Sequence, residues 1–281
     1  MTAVRREAFF LDAPGGVRFC LVTRPVDAPV GALLFVPPFA EELNKSRRMA
    51  ALSTRAFAER GWMVFQMDGF GCGDSAGDFS DAGWHDWVED VARGWAWLRA
   101  DVNAERPGTN VPLALWSLRG GSLLVADWLR ESGETPPLLM WQPVTNGKQH
   151  LTQFLRLKAA NGMLAESGGA VMADIRSALQ RGETVEISGY GLSPALAAGM
   201  DAAALQLPTS YASPVAMLEV DNAGRLDPSP ALALLASKWA ATGVPVHAEC
   251  VTGPAFWQTQ EIETARLLIE RSLAMLERFV R

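Results

Sequence analysis

The residues best placed to do chemistry in this chain lie in the stretch Leu113-Ala-Leu-Trp-Ser-Leu-Arg-Gly-Gly-Ser122. An apolar strand-like run is followed by glycines and then by a helical pattern. A strand that turns sharply into a helix presents one side chain at the tip. It needs small residues two positions before and two after, so that the backbones can close. Centred on Arg119, the rule is met by Ser117 and Gly121, with Gly120 beside the tip. Centred on Ser117 it is broken by Leu115 and Arg119, and centred on Ser122 by Leu124. The spacing therefore predicts Arg119 at the tip. A guanidinium stays protonated at any working pH and is neither nucleophile nor base. Beside a helix N-terminus, which already attracts anions, it calls for a counter-charge. Glu41 or Glu42 is one source, and a bidentate carboxylate or phosphate ligand is another.

Strand-like and helix-like segments alternate around this turn. Gly31–Val36 is an apolar run ended by Pro37-Pro38, and a helix is expected around Arg47–Arg60, with Met49, Leu52, Ala56 and Phe57 at helical spacing. Trp62–Met67 reads as the next strand and leads into Asp68-Gly-Phe-Gly-Cys-Gly-Asp-Ser75. Trp84, Trp87, Val88, Val91, Trp95 and Leu98 mark one apolar helix face. Further strands are expected at Val111–Trp116, Pro137–Gln142, Pro214–Val220 and Val244–Val251. Helices are expected at Gly120–Glu131, Ala231–Ala241 and from about Glu261 to Val280. Near-continuous apolar strands joined by helices imply a mostly parallel sheet with helices on both faces. The alternation breaks between residues 147 and 212, where helical pieces (Gln149–Ala160, Ala170–Arg181, Pro194–Ala203) accompany only one strand-like stretch, Thr184–Ile187. This is read as a helical cap, residues 147–212, inserted into a core of residues 1–146 and 213–281.

The loop Asp68-x-x-Gly71-x-Gly73-x-Ser75 resembles the corresponding loop of α/β-hydrolases. More narrowly, Pro37–Arg48, Leu115–Arg119, Trp141–Lys148, Gln153–Arg156 and Gly253–Glu261 are similar to exosortase A system-associated hydrolase 2. The resemblance runs over nearly the whole chain. It implies an α/β-hydrolase fold and an association with bacterial exopolysaccharide production and the sorting of PEP-CTERM proteins. It also implies hydrolysis of an ester, thioester or amide, although a name given for the fold speaks more of ancestry than of a reaction.

The catalytic order of that fold is nucleophile, acid, histidine, the histidine lying in the loop after the last strand. Asp221 stands where the acid is expected, with Asp227 a second candidate. The final loop, Thr252-Gly-Pro-Ala-Phe-Trp-Gln258, holds no histidine. His247 falls inside the preceding strand and His85 opens a helix, whereas His150 begins the cap, where it can overhang a pocket. Ser117 with His150 or His85 is the alternative, shifted-register catalyst. Cys72 is a second nucleophilic type, or simply a small residue between two glycines. The catalytic candidates are thus Ser117, Arg119, Asp221 and His150. The expected ligand contacts are Phe39, Glu41, Glu42, Asn44 and Lys45 before the turn, with Trp257 and Glu261 in the final loop. Phe256, Phe154, Leu155 and Arg156 serve equally as core.

Composition narrows the partners. The net charge of −6 and the pI of about 5.2 give no electrostatic reason to bind nucleic acid or an anionic membrane. The three cysteines are widely spaced and form neither a metal-ligand pair nor a disulfide framework, which suits the cytoplasm. No apolar run approaches the ~18 residues that span a bilayer. Neither metal nor cofactor is expected. Ten tryptophans against two tyrosines point to core and pocket lining. Two functions remain: a cytoplasmic hydrolase with a degenerate elbow, or a non-catalytic binding or assembly protein, an inactive relative of the hydrolases. In either case the expected partner is a small molecule of acyl or glycan type.

Overall fold

Buried, apolar strands set the architecture. Gly31–Val36 (β3) and Leu138–Trp141 (β6) are buried at every position, and Trp62–Met67 (β4), Leu113–Leu118 (β5) and Val215–Asp221 (β9) nearly so. Such strands are satisfied only in the middle of a sheet covered on both faces. The computed structural model describes residues 4–161 and 168–280. Residues 162–167 of the expected cap, and the first three residues, lie outside this range.

Arg5–Leu11 (β1) and Arg18–Arg24 (β2) precede β3, and Val246–Thr252 (β10) completes an eight-stranded sheet of order β1-β2-β4-β3-β5-β6-β9-β10. All neighbours from β4 to β10 run parallel, while β2 is antiparallel to both β1 and β4. The amino-terminal hairpin was not expected. β1 is mostly exposed and carries no apolar alternation, so its place at the sheet edge is fixed by pairing with β2 rather than by a pattern of its own.

Helices Trp84–Glu105 (α2), Gly121–Ser132 (α3) and Pro230–Ala241 (α7) cover one face. Glu41–Ala58 (α1) and Arg266–Phe279 (α8) cover the other. α1 starts at Glu41, well before the expected Arg47. Ala40 supplies no side-chain cap and the first turn is polar, so only the acidic Glu41 and Glu42 mark the start. α8 starts at Arg266 rather than Glu261. Tryptophans fill both layers. On the α1/α8 side Trp116 stacks edge-on against Trp141 at 4.7 Å, and the Trp141 indole donates to Ser272 Oγ at 2.8 Å. On the other side Trp84 donates to the buried Asp127 at 2.7 Å.

Between β6 and β9 the chain forms Gly147–Asn161 (α4), Gly168–Gln180 (α5), a hairpin of Val185–Ile187 (β7) and Tyr190–Leu192 (β8), and Pro194–Ala202 (α6). The hairpin partner β8 was not foreseen; three residues are too few to show a period. The base of this segment is stitched shut where Gly147 N–H donates to Ala203 and Leu205 N–H to Thr145. Ser193 caps α6 and donates to the Ala82 carbonyl at 2.6 Å, fixing the segment against the start of α2. Gly147 and Gly199 are required there: a Cβ at Gly147 would lie 1.9 Å from the Met200 carbonyl, and one at Gly199 2.1 Å from Trp84 Cβ.

Candidate functional site

Arg119 has φ +52°, a left-handed backbone that non-glycine residues adopt only when the surroundings impose it. β5 ends at Leu118 and α3 begins at Gly121, so Arg119 is the tip of the strand-to-helix turn, as its spacing predicts. The turn is held from below. Arg119 N–H donates to the Trp141 carbonyl, and Ser122 Oγ donates to the carbonyls of Arg119 (2.8 Å) and Val144 (3.0 Å). Gly121 has to be glycine, because its Cβ would meet the Val36 carbonyl oxygen at 2.4 Å. Ser122 is thus a structural fastener.

Ser117 does not reach the site. It is a β5 residue, 2% exposed, on the face shared with Leu115 under α3, and its hydroxyl does not line the cavity described below. This corrects the shifted-register catalyst. In a pleated strand alternate side chains share a face, so Ser117 points with Leu113 and Leu115 into the layer under α3.

The chain after β3 turns at Ala40, φ +51°, so that the first turn of α1 faces the elbow. Glu42 Oε1 accepts from Arg119 Nε at 3.1 Å and lies 3.0 Å from Arg119 Nη2. The pair is largely shielded, with 17% and 16% of the two side chains exposed. Burial pushes the Glu42 carboxyl up, and Arg119 opposes that shift. From the loop after β10, the Trp257 ring lies under the guanidinium, 5.5 Å from ring centre to Arg119 Cζ. Arg119 is therefore clamped between a carboxylate and an aromatic face, each a favourable partner for a cation.

His150 closes the far side. Asn146 caps α4 through Gln149 N–H, and one turn later His150 stands over Gly120, whose Cβ would lie 3.0 Å from His150 Nε2. Its ring packs edge-on against Phe39, with centroids 5.9 Å apart. Burial, reinforced by the Arg119 charge, lowers its pKa to about 3, so it is neutral at physiological pH. Together Phe39, Glu41, Glu42, Arg119, His150, Gln153, Phe154, Leu157, Trp257 and Gln258 enclose a cavity of about 170 Å³. Phe39 and Gly120 also border an apolar cavity of about 60 Å³, walled by Trp84, Trp87 and Leu124.

The structure gathers Arg119, His150, Phe39, Glu41, Glu42 and Trp257 and leaves the other expected residues outside. Asp221 accepts from the N–H groups of Ala223 and Arg225 in its own loop, at 3.0 and 2.9 Å, and pairs with no histidine. Asp227 is exposed and accepts through its carbonyl from Arg225. His85 is 72% exposed beside Glu89, and His247 sits beside Glu249 in β10. Asn44 donates to the Tyr190 hydroxyl, Lys45 reaches the Gln258 carbonyl and Glu41, and Glu261 is exposed beyond the cavity. The Asp68 loop is a scaffold: a Cβ at Gly73 would lie 1.9 Å from Asp68 Oδ2, and Ser75 Oγ links Asp68 to Phe19. Cys72 is no thiolate, since burial beside Asp68 and Asp90 pushes its thiol up to about 12. Gln153, Leu157 and Gln258 were missed. For the first two a signal existed, because His150, Gln153, Phe154 and Leu157 recur at the spacing of one helix face. No cluster of metal-ligating side chains occurs among the described residues.

Known proteins agree with this geometry at the level of fold. A family model for X-Pro dipeptidyl-peptidase (S15 family) matches residues 19–149, under half of the chain. No curated protein matches the sequence. Among solved structures, Est1E from Butyrivibrio proteoclasticus with ferulic acid bound superposes with a TM-score of 0.65 at 14% identity, over 98% of this chain and 100% of that one. A thermostable carboxyl esterase from Bacillus coagulans in complex with glycerol gives 0.65 at 13%, over 98% and 99%. The α/β-hydrolase GrgF from Penicillium sp. sh18 gives 0.61 at 17%, over 98% and 99%. The chain has the α/β-hydrolase fold. Within it, Arg119 in the turn after β5 and Trp257 in the loop after β10 are in contact.

Proposed function

We propose that this protein is a non-hydrolytic α/β-hydrolase relative that binds a small molecule above a remodelled elbow. The observation that carries the reading is Arg119 at the left-handed tip, ion-paired to Glu42, while the nearest serine of the strand, Ser117, is sealed beneath α3. A guanidinium cannot attack a carbonyl, and a serine without base or access is a feeble nucleophile. The sequence resemblance supplies the setting: a cytoplasmic component of the exosortase and exopolysaccharide system, with a ligand of acyl or glycan type.

One observation favours a second reading, hydrolysis of an ester, thioester or amide by water. His150 places an imidazole beside the elbow, positioned toward water rather than toward serine, though a pKa lowered to about 3 leaves it a weak base. One experiment separates the two. The purified protein is treated with a fluorophosphonate probe and assayed on short and long p-nitrophenyl esters, with a serine esterase as positive control. Neither labelling nor turnover is expected. Labelling that disappears in Ser117→Ala refutes the remodelled elbow. Turnover without labelling, abolished in His150→Gln, selects the water reading.

A further inference from the structure

The smaller cavity, of about 60 Å³, lies on the α2/α3 side of the sheet, against Leu34 and Val36 of β3. Its walls are Phe39, Trp84, Trp87, Val91, Leu124 and Met200, all of them buried. Phe39 lines both this space and the cavity at Arg119, so it is the wall they share. Its ring is held edge-on between Phe154, at 4.6 Å, and Trp87, at 6.1 Å.

Voids in a packed core are mostly smaller than one water molecule. This one exceeds the ~10–15 Å³ that a water needs, so size does not keep water out. Chemistry does. A buried water makes about 2–4 hydrogen bonds, and the side chains of this lining have spent theirs elsewhere. The Trp84 indole donates to Asp127 at 2.7 Å and the Trp87 indole to the Phe70 carbonyl at 2.9 Å, so both offer only carbon. The oxygens of Asp90, at the margin, accept from Arg18 Nε, Arg93 Nη1 and Phe70 N–H. Cys72 keeps its proton, with its thiol pushed up to about 12, and a thiol is a weak donor. A hydroxyl placed here would lose its bonds to water and regain few, whereas a hydrocarbon has none to lose. Size narrows the class further. An apolar cavity of about 150 Å³ takes benzene, and this one is less than half as large. It fits a chain of a few carbons rather than a ring.

We propose that this cavity receives the end of a short, unbranched hydrocarbon chain. The ligand is then of the acyl rather than the glycan type. Its polar part stays on the Arg119 side of Phe39, where Glu41, Glu42, Gln153 and Gln258 supply polar walls.

The inference rests on the binding reading above but fails separately from it. Methyl-labelled protein is titrated by NMR with xenon, with the 1-alkanols from ethanol to 1-octanol, and with glycerol. Saturable shifts are expected at the methyls of Val36, Val91, Leu124 and Met200 with xenon and with 1-propanol. Alkanol affinity should rise about fourfold per methylene, the worth of one buried CH₂, and level off before 1-octanol as the cavity fills. Glycerol, with the carbons of 1-propanol and two further hydroxyls, should bind at least about tenfold more weakly. Leu124→Phe and Val91→Ile, each checked for native circular dichroism, fill the space and should weaken xenon and 1-propanol by about tenfold or more. Phe39→Ala joins the two cavities and should move the levelling-off to longer chains. No shifts at these methyls, no gain with chain length, glycerol binding as well as 1-propanol, or binding indifferent to both filling substitutions overturns the ligand class. Fluorophosphonate labelling of Ser117 would instead remove the elbow reading beneath it.

Discussion

Arg119 stabilises the turn through its contacts and strains it through its backbone, and the two effects can be measured apart. Arg119→Ala keeps φ near +52° and removes the Glu42 pair and the Trp257 contact. Exposed pairs are worth about 0–1 kcal/mol, whereas breaking a buried one costs about 3–5 kcal/mol. A pair with about one-sixth of each side chain exposed falls between, near 2 kcal/mol. The cation–π contact adds about 0.5–1 kcal/mol. Arg119→Ala should therefore cost about 2–3 kcal/mol, a fall in Tm of roughly 5–10 °C for a chain of this size. Arg119→Gly loses the same contacts but sheds about 1–2 kcal/mol of left-handed strain. Against that, glycine gives the unfolded chain about 0.7 kcal/mol of extra freedom. The glycine variant should thus be more stable than the alanine variant by about 0.5–1 kcal/mol, although every side-chain contact is lost in both. Urea denaturation followed by circular dichroism measures the order, and a cycle with Glu42→Ala should return a coupling of about 1–2 kcal/mol. If alanine equals or exceeds glycine, the strain argument fails. If the two losses simply add, the Arg119–Glu42 pair is not the clamp described here.

Three further outcomes follow from the same geometry. His150 has a folded pKa depressed by burial and by Arg119 to about 3, so the unfolded chain binds its proton first. Stability should then fall as pH drops from about 6.5 toward 3, at up to about 1.4 kcal/mol per pH unit from this group, and His150→Gln should flatten that limb; an unchanged slope would locate the proton uptake elsewhere. Cys20 and Cys72 are pushed up to about 12 and Cys250 is buried, so a thiol-reactive chromophore at pH 7.5 should find essentially no rapid thiol in the native protein and all three after unfolding. Fast modification of Cys72 would contradict its placement between carboxylates. Gly121→Ala drives a Cβ to 2.4 Å from the Val36 carbonyl oxygen and should destabilise by about 2 kcal/mol or more, whereas the same change at the open helical Gly169 should stabilise by about 0.5–1 kcal/mol. Equal melting temperatures for the two variants would remove the close approach at the elbow.

The elbow was legible before the fold because its constraint is local. Small residues two before and two after a tip are required by backbone closure alone, and Ser117, Gly120 and Gly121 put Arg119 there without any knowledge of its neighbours. Apolar runs buried on both faces announced the parallel strands for the same reason: each run states its own burial. The amino-terminal hairpin and the start of α1 escaped because their placement depends on what they pair with. β1 has no buried stripe, and the first turn of α1 is polar with no side-chain cap.

What the sequence alone determined was the kind of sheet, the tip residue and the absence of a histidine from the final loop. Which residues meet at the tip was decided only by the tertiary structure. Glu42, Arg119, His150 and Trp257 come from four separate elements, and their contacts rest on distances that chain spacing does not encode. Asp221 and Ser117 satisfy the order of a catalytic triad along the chain, yet one is spent on its own loop and the other is turned beneath a helix. A side chain's chemistry is set by its type, but its protonation, partners and access are set by the groups packed around it. Those groups are supplied by remote parts of the chain.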